Sequence, residues 1–419
     1  MTDGHTSFSR VWRFAYVPVL ALSMALLMAR LLMLAWLLPV SEFALYNAGL
    51  LVSMTLGLMG SLGLYPLLQR EMPIYFARAQ GGRARHLLSR AIHASAVLAM
   101  LGVLLSPLAS LASADGWIMA AGVINGFSQQ LFLLACTESR SRGQPMRYTW
   151  QNLVRSTLLT AASITAAAHS ATGLAVLLAE ALVSAAAAIW LLRRSLSRQA
   201  LRRVLSPWTF ERALWRTQWK AALALLFASL AASALLYADR WVAALLLDRH
   251  GFALYSFSIT VLLVAQSVQS MLNASIFPDI SRTFATDGRK AAFAAASAWS
   301  VKLCLVGLAL CAPVLWLLSE AVPRWFPAYH EAVAILPALT IAAVFRVSDF
   351  WSGFLVAVRA EAQLLRTQLA VGIGSTLLWT CGYIMFDSPA LSAVAWFALM
   401  LSASWYFSAA VASWRQRLT

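Results

Sequence analysis

Long apolar stretches separated by short polar segments run along the whole 419-residue chain. An α-helix needs about 20 mostly apolar residues to cross the hydrocarbon core of a bilayer. The pattern predicts twelve such helices, near residues 13–38, 43–69, 89–111, 116–136, 149–169, 171–192, 219–246, 251–276, 291–318, 332–357, 367–386 and 389–413. We therefore expect an all-α, multi-pass membrane protein.

The composition excludes an ordinary soluble enzyme and a disordered chain. Apolar residues make up 61% of the chain and charged residues 11%, whereas soluble domains are nearer one half and one quarter. No phosphate-binding loop, serine nucleophile elbow or histidine spacing typical of a metal site is present. We expect that the protein is not an enzyme and that it carries no cofactor and no metal.

The positive charges are distributed unevenly along the chain, which has a net charge of +16. With the N-terminus placed inside, 25 of the 32 Lys and Arg residues fall in inner segments, and only Arg249 and Arg324 fall in outer loops. This asymmetry predicts that both termini are cytoplasmic. The basic stretch around Trp208 and Trp215 is typical of an amphipathic segment on anionic lipid headgroups, and we do not expect it to bind nucleic acid.

An internal repeat divides the chain into two halves. Phe43-Ala44-Leu45-Tyr46 opens the second predicted helix and Phe252-Ala253-Leu254-Tyr255 opens the eighth, 209 positions later. Six helices per half is an even number, so the second half enters the membrane in the same orientation as the first. We expect two parallel six-helix lobes, 1–198 and 219–419, around a central cavity, joined by a cytoplasmic linker at 199–218.

Eight ionisable residues remain inside the predicted spans. A charge at mid-membrane depth costs about 2.5 to 3.5 kcal/mol, so such residues usually face a cavity or a partner. Five cations against three anions would suit an anionic substrate, whose phosphate oxygens an arginine fork grips well. The predicted substrate-binding residues are Arg30, Arg155, Arg240, Lys302 and Arg346, and the predicted ion-coupling or structural acids are Glu180, Asp239 and Asp349.

Pairing among these residues is the alternative to binding. Arg346 and Asp349 lie three residues apart and would neutralise each other on one helix face. Arg30 and Asp239 occupy corresponding places in the two halves, so a salt bridge between the lobes is a second alternative.

Three of the internal residues have further interpretations, and Lys302 has none. Arg155 and Arg240 lie near predicted helix ends and could reach the headgroups. Glu180 could be a protonated carboxyl, which is also what a proton-coupling site would contain. Lys302 has no acidic neighbour in sequence and has the weakest structural explanation.

These features together resemble a known family. The segments Leu38-Pro39 … Glu42-Phe43-Ala44-Leu45-Tyr46 and Asp239-Arg240 … Gly251-Phe252-Ala253-Leu254-Tyr255 … Phe277-Pro278 are similar to those of Wzx-type O-antigen flippases of the multidrug/oligosaccharidyl-lipid/polysaccharide (MOP) exporter superfamily. The resemblance implies two six-helix bundles around a V-shaped cavity. It also implies movement of undecaprenyl-diphosphate-linked oligosaccharide to the outer leaflet of the bacterial inner membrane by alternating access.

The same resemblance implies a place in surface polysaccharide biosynthesis, with membrane lipids and polysaccharide polymerase or ligase machinery as partners, and a monomeric protein. Lipid II flippases of the superfamily usually carry two more helices than we predict. A small-molecule exporter resembling the MATE transporters would prefer an acidic cavity. A membrane glycan polymerase or ligase would need a large outer loop, which this sequence lacks.

Overall fold

The computed structural model describes residues 16–195 and 219–417 apart from 60, 111–115, 143 and 387–389, and also Arg202. Every regular element in this part of the chain is a helix. The helices are α1 (Tyr16–Leu37), α2 (Val40–Met59), α3 (Leu64–Ala77), α4 (Gly81–Ser110), α5 (Gly116–Ser141), α6 (Pro145–Ser170), α7 (Gly173–Ser195), α8 (Trp219–Leu246), α9 (Arg249–Trp325), the 3-10 helix η1 (Pro327–Ile335), α10 (Leu336–Val347), α11 (Trp351–Ala357), α12 (Glu361–Phe386) and α13 (Ala390–Gln416).

Nine helical segments within the described ranges are long and apolar enough to cross a membrane. The protein is therefore a multi-pass, all-helical membrane protein, as the sequence predicts. The count of twelve spans and the cytoplasmic termini remain predictions. Residues 1–15 and 418–419 lie outside the described part of the chain.

In three places the helices divide or join the predicted spans. A turn with positive φ at Leu62 (49°) and Gly63 (75°) separates α2 from α3. α9 joins the eighth and ninth predicted helices, and its one non-helical residue is Gly288, at φ 84° and ψ −176°, a conformation open essentially to glycine alone. The tenth predicted helix is divided into η1, α10 and α11.

The chain forms two compact units, Met1–Leu230 and Ala231–Thr419. The division falls inside α8, a little C-terminal to the predicted linker. The predicted limits of the lobes and linker (1–198, 199–218 and 219–419) remain predictions. Apart from Arg202, the linker lies outside the described residues.

Close backbone packing organises the first unit. α5 packs against α2, α4 and α7, and α6 packs against α1 and α7. A Cβ atom on Gly122 would lie 2.5 Å from the Gly49 carbonyl oxygen, and one on Gly126 would lie 2.6 Å from the Ser53 carbonyl oxygen. Because only glycine avoids these contacts, the two glycines allow α5 to touch the α2 backbone, as small residues do in membrane helix pairs.

An aromatic core holds the break between α10 and α11 in the second unit. Phe350 and Phe354 are fully buried and pack with Ile280 and Ala292 of α9. Phe293 lies edge-on to Phe354, with ring centroids 5.7 Å apart. These contacts enclose the irregular backbone at 348–350 in protein, as is required at membrane depth.

Candidate functional site

Glu180 is the centre of a buried polar network in the first unit. Nη1 of Arg30 lies 2.6 Å from Glu180 Oε1 and forms an ion pair with it. The same oxygen accepts hydrogen bonds from Tyr46 Oη at 2.8 Å and from Ser163 Oγ at 2.9 Å. Asn125 Nδ2 donates to the other oxygen, Oε2, at 3.4 Å. Because all five side chains are buried, this network links α1, α2, α5, α6 and α7.

A similar network surrounds Asp239 in the second unit. Tyr255 Oη donates to Asp239 Oδ2 at 2.8 Å, and Nη2 of Arg346 lies 3.6 Å from the same oxygen. Arg346 Nε donates to Ser402 Oγ at 2.9 Å, and its Nη1 donates to the Leu236 carbonyl oxygen at 3.5 Å. The network therefore links α8, α9, α10 and α13.

The repeated Phe-Ala-Leu-Tyr motif supplies the same member of both networks. Tyr46 and Tyr255 end the two copies, and each donates to the carboxylate of an ion pair at 2.8 Å. Arg30 and Asp239 are also 209 positions apart, at corresponding sites with opposite charges. Both units thus contain a tyrosine that donates to the carboxylate of an ion pair. The acidic residue lies on α7 in the first unit and on α8 in the second, and the arginine lies on α1 and α10, respectively.

The ion pairs differ from both pairings considered from sequence. Arg30 pairs with Glu180 inside the first unit, and Arg346 pairs with Asp239 instead of Asp349. The spacing of Arg346 and Asp349 assumed one continuous helix. α10 ends at Val347, so Asp349 lies in the irregular segment and does not share the helical face of Arg346.

Asp349 instead binds neutral donors at the start of α11. Its Oδ1 accepts from Ser352 N at 3.1 Å, and its Oδ2 accepts from Ser352 Oγ at 2.5 Å and from Trp405 Nε1 at 2.8 Å. A carboxylate near the first turn of a helix satisfies backbone N–H groups that lack helical partners. These contacts are sufficient to explain why an aspartate lies at the start of α11.

Arg155 lies beside the Glu180 network but is not paired with a carboxylate. Its Nε and Nη2 donate to Ser184 Oγ at 3.3 and 3.1 Å, and its guanidinium carbon lies 4.7 Å from the centre of the Phe132 ring. Since α6 begins at Pro145, Arg155 lies further from the helix end than the sequence pattern indicates.

The other two predicted cations lie in the second unit. Arg240 is buried, with its guanidinium carbon 5.2 Å from the Tyr237 ring centre. Lys302 is exposed, and its Nζ lies 5.6 Å from the Trp299 ring centre. Two of the predicted cations, Arg155 in the first unit and Lys302 in the second, have no carboxylate within ion-pair distance in the described parts of the chain.

Sequence reasoning missed the neutral members of these networks. Tyr46 and Tyr255 served only as markers of the repeat, while Asn125, Ser163 and Ser402 carry no charge that would single them out. A polar residue such as Asn125 inside an apolar run is a weak signal, because it identifies no partner. Within the described residues, no group of three or more His, Cys, Asp or Glu side chains could hold a metal ion.

Neither protein-family models nor curated protein sequences match this chain. Solved structures do. A multidrug resistance MATE family transporter of the MOP superfamily, in an inward-facing conformation, matches with a TM-score of 0.70 at 12% identity, over 96% of this chain and 97% of that chain. An outward-facing MATE family transporter matches with a TM-score of 0.60 at 13% identity, over 96% and 95% of the two chains.

The lipid II flippase MurJ, in an inward closed conformation, is also similar. It matches with a TM-score of 0.66 at 10% identity, over 96% of this chain and 87% of that chain. At such low identities the likeness establishes the fold and not the substrate. The chain therefore has the fold of the transporters and flippases of the MOP superfamily.

Proposed function

We propose that this protein is a flippase of the Wzx type, which moves a polyprenyl-diphosphate-linked oligosaccharide across the bacterial inner membrane for surface polysaccharide biosynthesis. The fold supports transport, since it is similar to both an exporter and a lipid flippase. The observation that carries the choice of substrate is the charge balance inside the spans. Within the described residues, Glu180 and Asp239 are each paired with an arginine, Asp349 binds neutral donors, and Arg155 and Lys302 have no carboxylate within ion-pair distance.

The unpaired cations favour an anionic substrate, which would supply the missing negative charge. Arginine suits a diphosphate because its planar fork donates two parallel hydrogen bonds, and Arg155 is held in place by Ser184 and Phe132. We assign substrate contact to Arg155, Lys302 and the buried Arg240. Arg30 and Arg346 are positioning residues: each holds the carboxylate that it pairs with, Glu180 or Asp239.

Export of cations, as by a small-molecule exporter, is the second candidate. The MATE transporters among the similar structures favour it, but a cationic substrate needs an accessible carboxylate. Glu180 and Asp239 are each bound by an arginine and a tyrosine, and Asp349 is bound by Ser352 and Trp405. These contacts favour structural roles for the three acids. Ion coupling through them remains a prediction.

Reconstitution tests this proposal. The purified chain in proteoliposomes should move a fluorescent polyprenyl-diphosphate oligosaccharide between leaflets, and an Arg155→Ala/Lys302→Ala variant should be at least tenfold slower. Arg142→Ala is the matched control, because Arg142 is half exposed, follows the last residue of α5 and pairs with Glu138 of that helix. Equal rates of lipid movement for the wild type, the double variant and the control would show that Arg155 and Lys302 do not contact the substrate. Translocation of an organic cation but not of the lipid would favour the exporter.

A further inference from the structure

A partly open cavity in the first unit lies outside the networks described above. It has a volume of about 100 Å³ and lies among α2, α4, α5 and the first part of α8. Most of its wall is apolar, formed by side chains such as Leu56, Leu98 and Phe127, and none of the described residues that line it is charged. A charged ligand would therefore be unfavourable here, because nothing in the wall would offset its desolvation.

Two of the residues that line this cavity have a buried polar atom without a partner among the described residues. Ser95 and Gln130 are 1% and 3% exposed, and both line the wall. Ser95 Oγ and Gln130 Nε2 have no hydrogen-bond partner among the described residues. Each buried, unsatisfied polar group costs on the order of 1–3 kcal/mol. The cavity thus contains an amide donor and a hydroxyl that a bound molecule would satisfy.

We propose that this cavity binds a small neutral molecule with an apolar body and one hydroxyl group. The hydroxyl oxygen accepts a hydrogen bond from Gln130 Nε2, and its hydrogen is donated to Ser95 Oγ. The apolar body lies against Leu98 and Phe127. Apolar cavities of comparable size take up small apolar molecules, and the largely apolar wall favours a ligand with an apolar body; water bridging Ser95 and Gln130 is the competing occupant that the experiment distinguishes. The proposal does not depend on the flippase assignment.

Fluorine NMR of the purified full chain in detergent tests this site, with trifluorobutanol as the probe and trifluorobutane as its counterpart without the hydroxyl. Wild type should bind trifluorobutanol saturably, at one site per chain, and trifluorobutane about tenfold more weakly. Gln130→Leu should weaken trifluorobutanol binding about tenfold, the loss expected for one hydrogen bond. Ala99→Phe should abolish it by filling the cavity, because Ala99 lines the wall.

Ala234→Phe is the control, because Ala234 lines a different groove in the second unit and should leave binding unchanged. If Ala99→Phe does not fold, the Gln130→Leu titration decides. Unsaturable partition of trifluorobutanol into wild type, or equal saturable binding by Gln130→Leu, would overturn the proposal. A high-resolution map with water alone bridging Ser95 and Gln130 in the presence of the probe would also overturn it.

Discussion

At the scale of single residues, the two units stabilise a buried carboxylate with the same chemical groups. Glu180 and Asp239 each contact one arginine and one tyrosine. Removing one partner of a buried ion pair typically costs 3–5 kcal/mol, because the remaining charge stays desolvated. The tyrosine hydrogen bonds, 2.8 Å long in both units, add to the stability of the two networks. We therefore expect that loss of Arg30 or Arg346 destabilises the unit that contains it; substrate binding by these two residues remains a prediction.

Breaking the Arg30–Glu180 pair should destabilise the protein strongly. We expect Arg30→Met to lower the free energy of unfolding by about 3–5 kcal/mol, and Arg30→Met/Glu180→Gln to recover much of this loss because no unpaired charge remains. Arg142→Ala removes a half-exposed arginine from the mostly buried Glu138 and should cost less than Arg30→Met, because both members of the Arg30–Glu180 pair are buried. Thermal unfolding in detergent measures all three. A double variant as unstable as the single one would contradict the account.

The sequence contained part of these networks. Tyr46 and Tyr255 could be located because phenylalanine and tyrosine rarely recur by chance at matched positions. The ion pairs could not be assigned, because Arg30 and Glu180 are 150 residues apart and their contact depends on how the helices pack. The alternative pairing of Arg346 with Asp349 does not form, because the helix breaks after Val347, and hydropathy alone does not reveal that break.

At the scale of elements, glycine decides how closely helices approach. Gly126 of α5 faces the Ser53 carbonyl oxygen at a distance that leaves no space for a methyl group. By contrast, nothing lies within 4 Å of a Cβ built on Gly374 of α12. The two helical glycines therefore differ in environment, although sequence pattern does not distinguish them.

Substituting these glycines should have opposite effects. Gly126→Ala should push α5 away from α2 and lower the midpoint of thermal unfolding, with a free-energy cost of about 1–3 kcal/mol. Gly374→Ala should be neutral or stabilising by up to about 1 kcal/mol, because alanine is the better helix former. Equal shifts for both variants would show that the α2–α5 contact is looser than described.

At the scale of the whole molecule, similarity to solved transporters establishes the fold, and the distribution of charge predicts the orientation. Basic residues concentrate in alternate loops, which sets topology in membrane proteins. The predicted number of spans was obtained from hydropathy alone. Buried polar residues in helices such as α6, including Gln151 and Ser163, make some spans less apolar than others.

Reporter fusions test the predicted orientation. Fusions after residues 80, 145, 205, 287, 362 and 419 should report the cytoplasm, and fusions after 115, 249 and 325 should report the outside. The positive-inside asymmetry is the physical reason. A reproducible outside signal at residue 205 would make the halves inverted repeats and would exclude the parallel arrangement.

The sidedness of the accumulated lipid tests the proposed function most directly. The proposed function predicts that deleting this protein from its native host stops the display of surface polysaccharide and traps the lipid-linked oligosaccharide in the cytoplasmic leaflet. A membrane-impermeant reagent that modifies sugars, given access to the outer face of the inner membrane, should leave the trapped lipid unmodified and should modify it after the membrane is opened. Modification before the membrane is opened would contradict the account, because translocation would then have occurred without this protein.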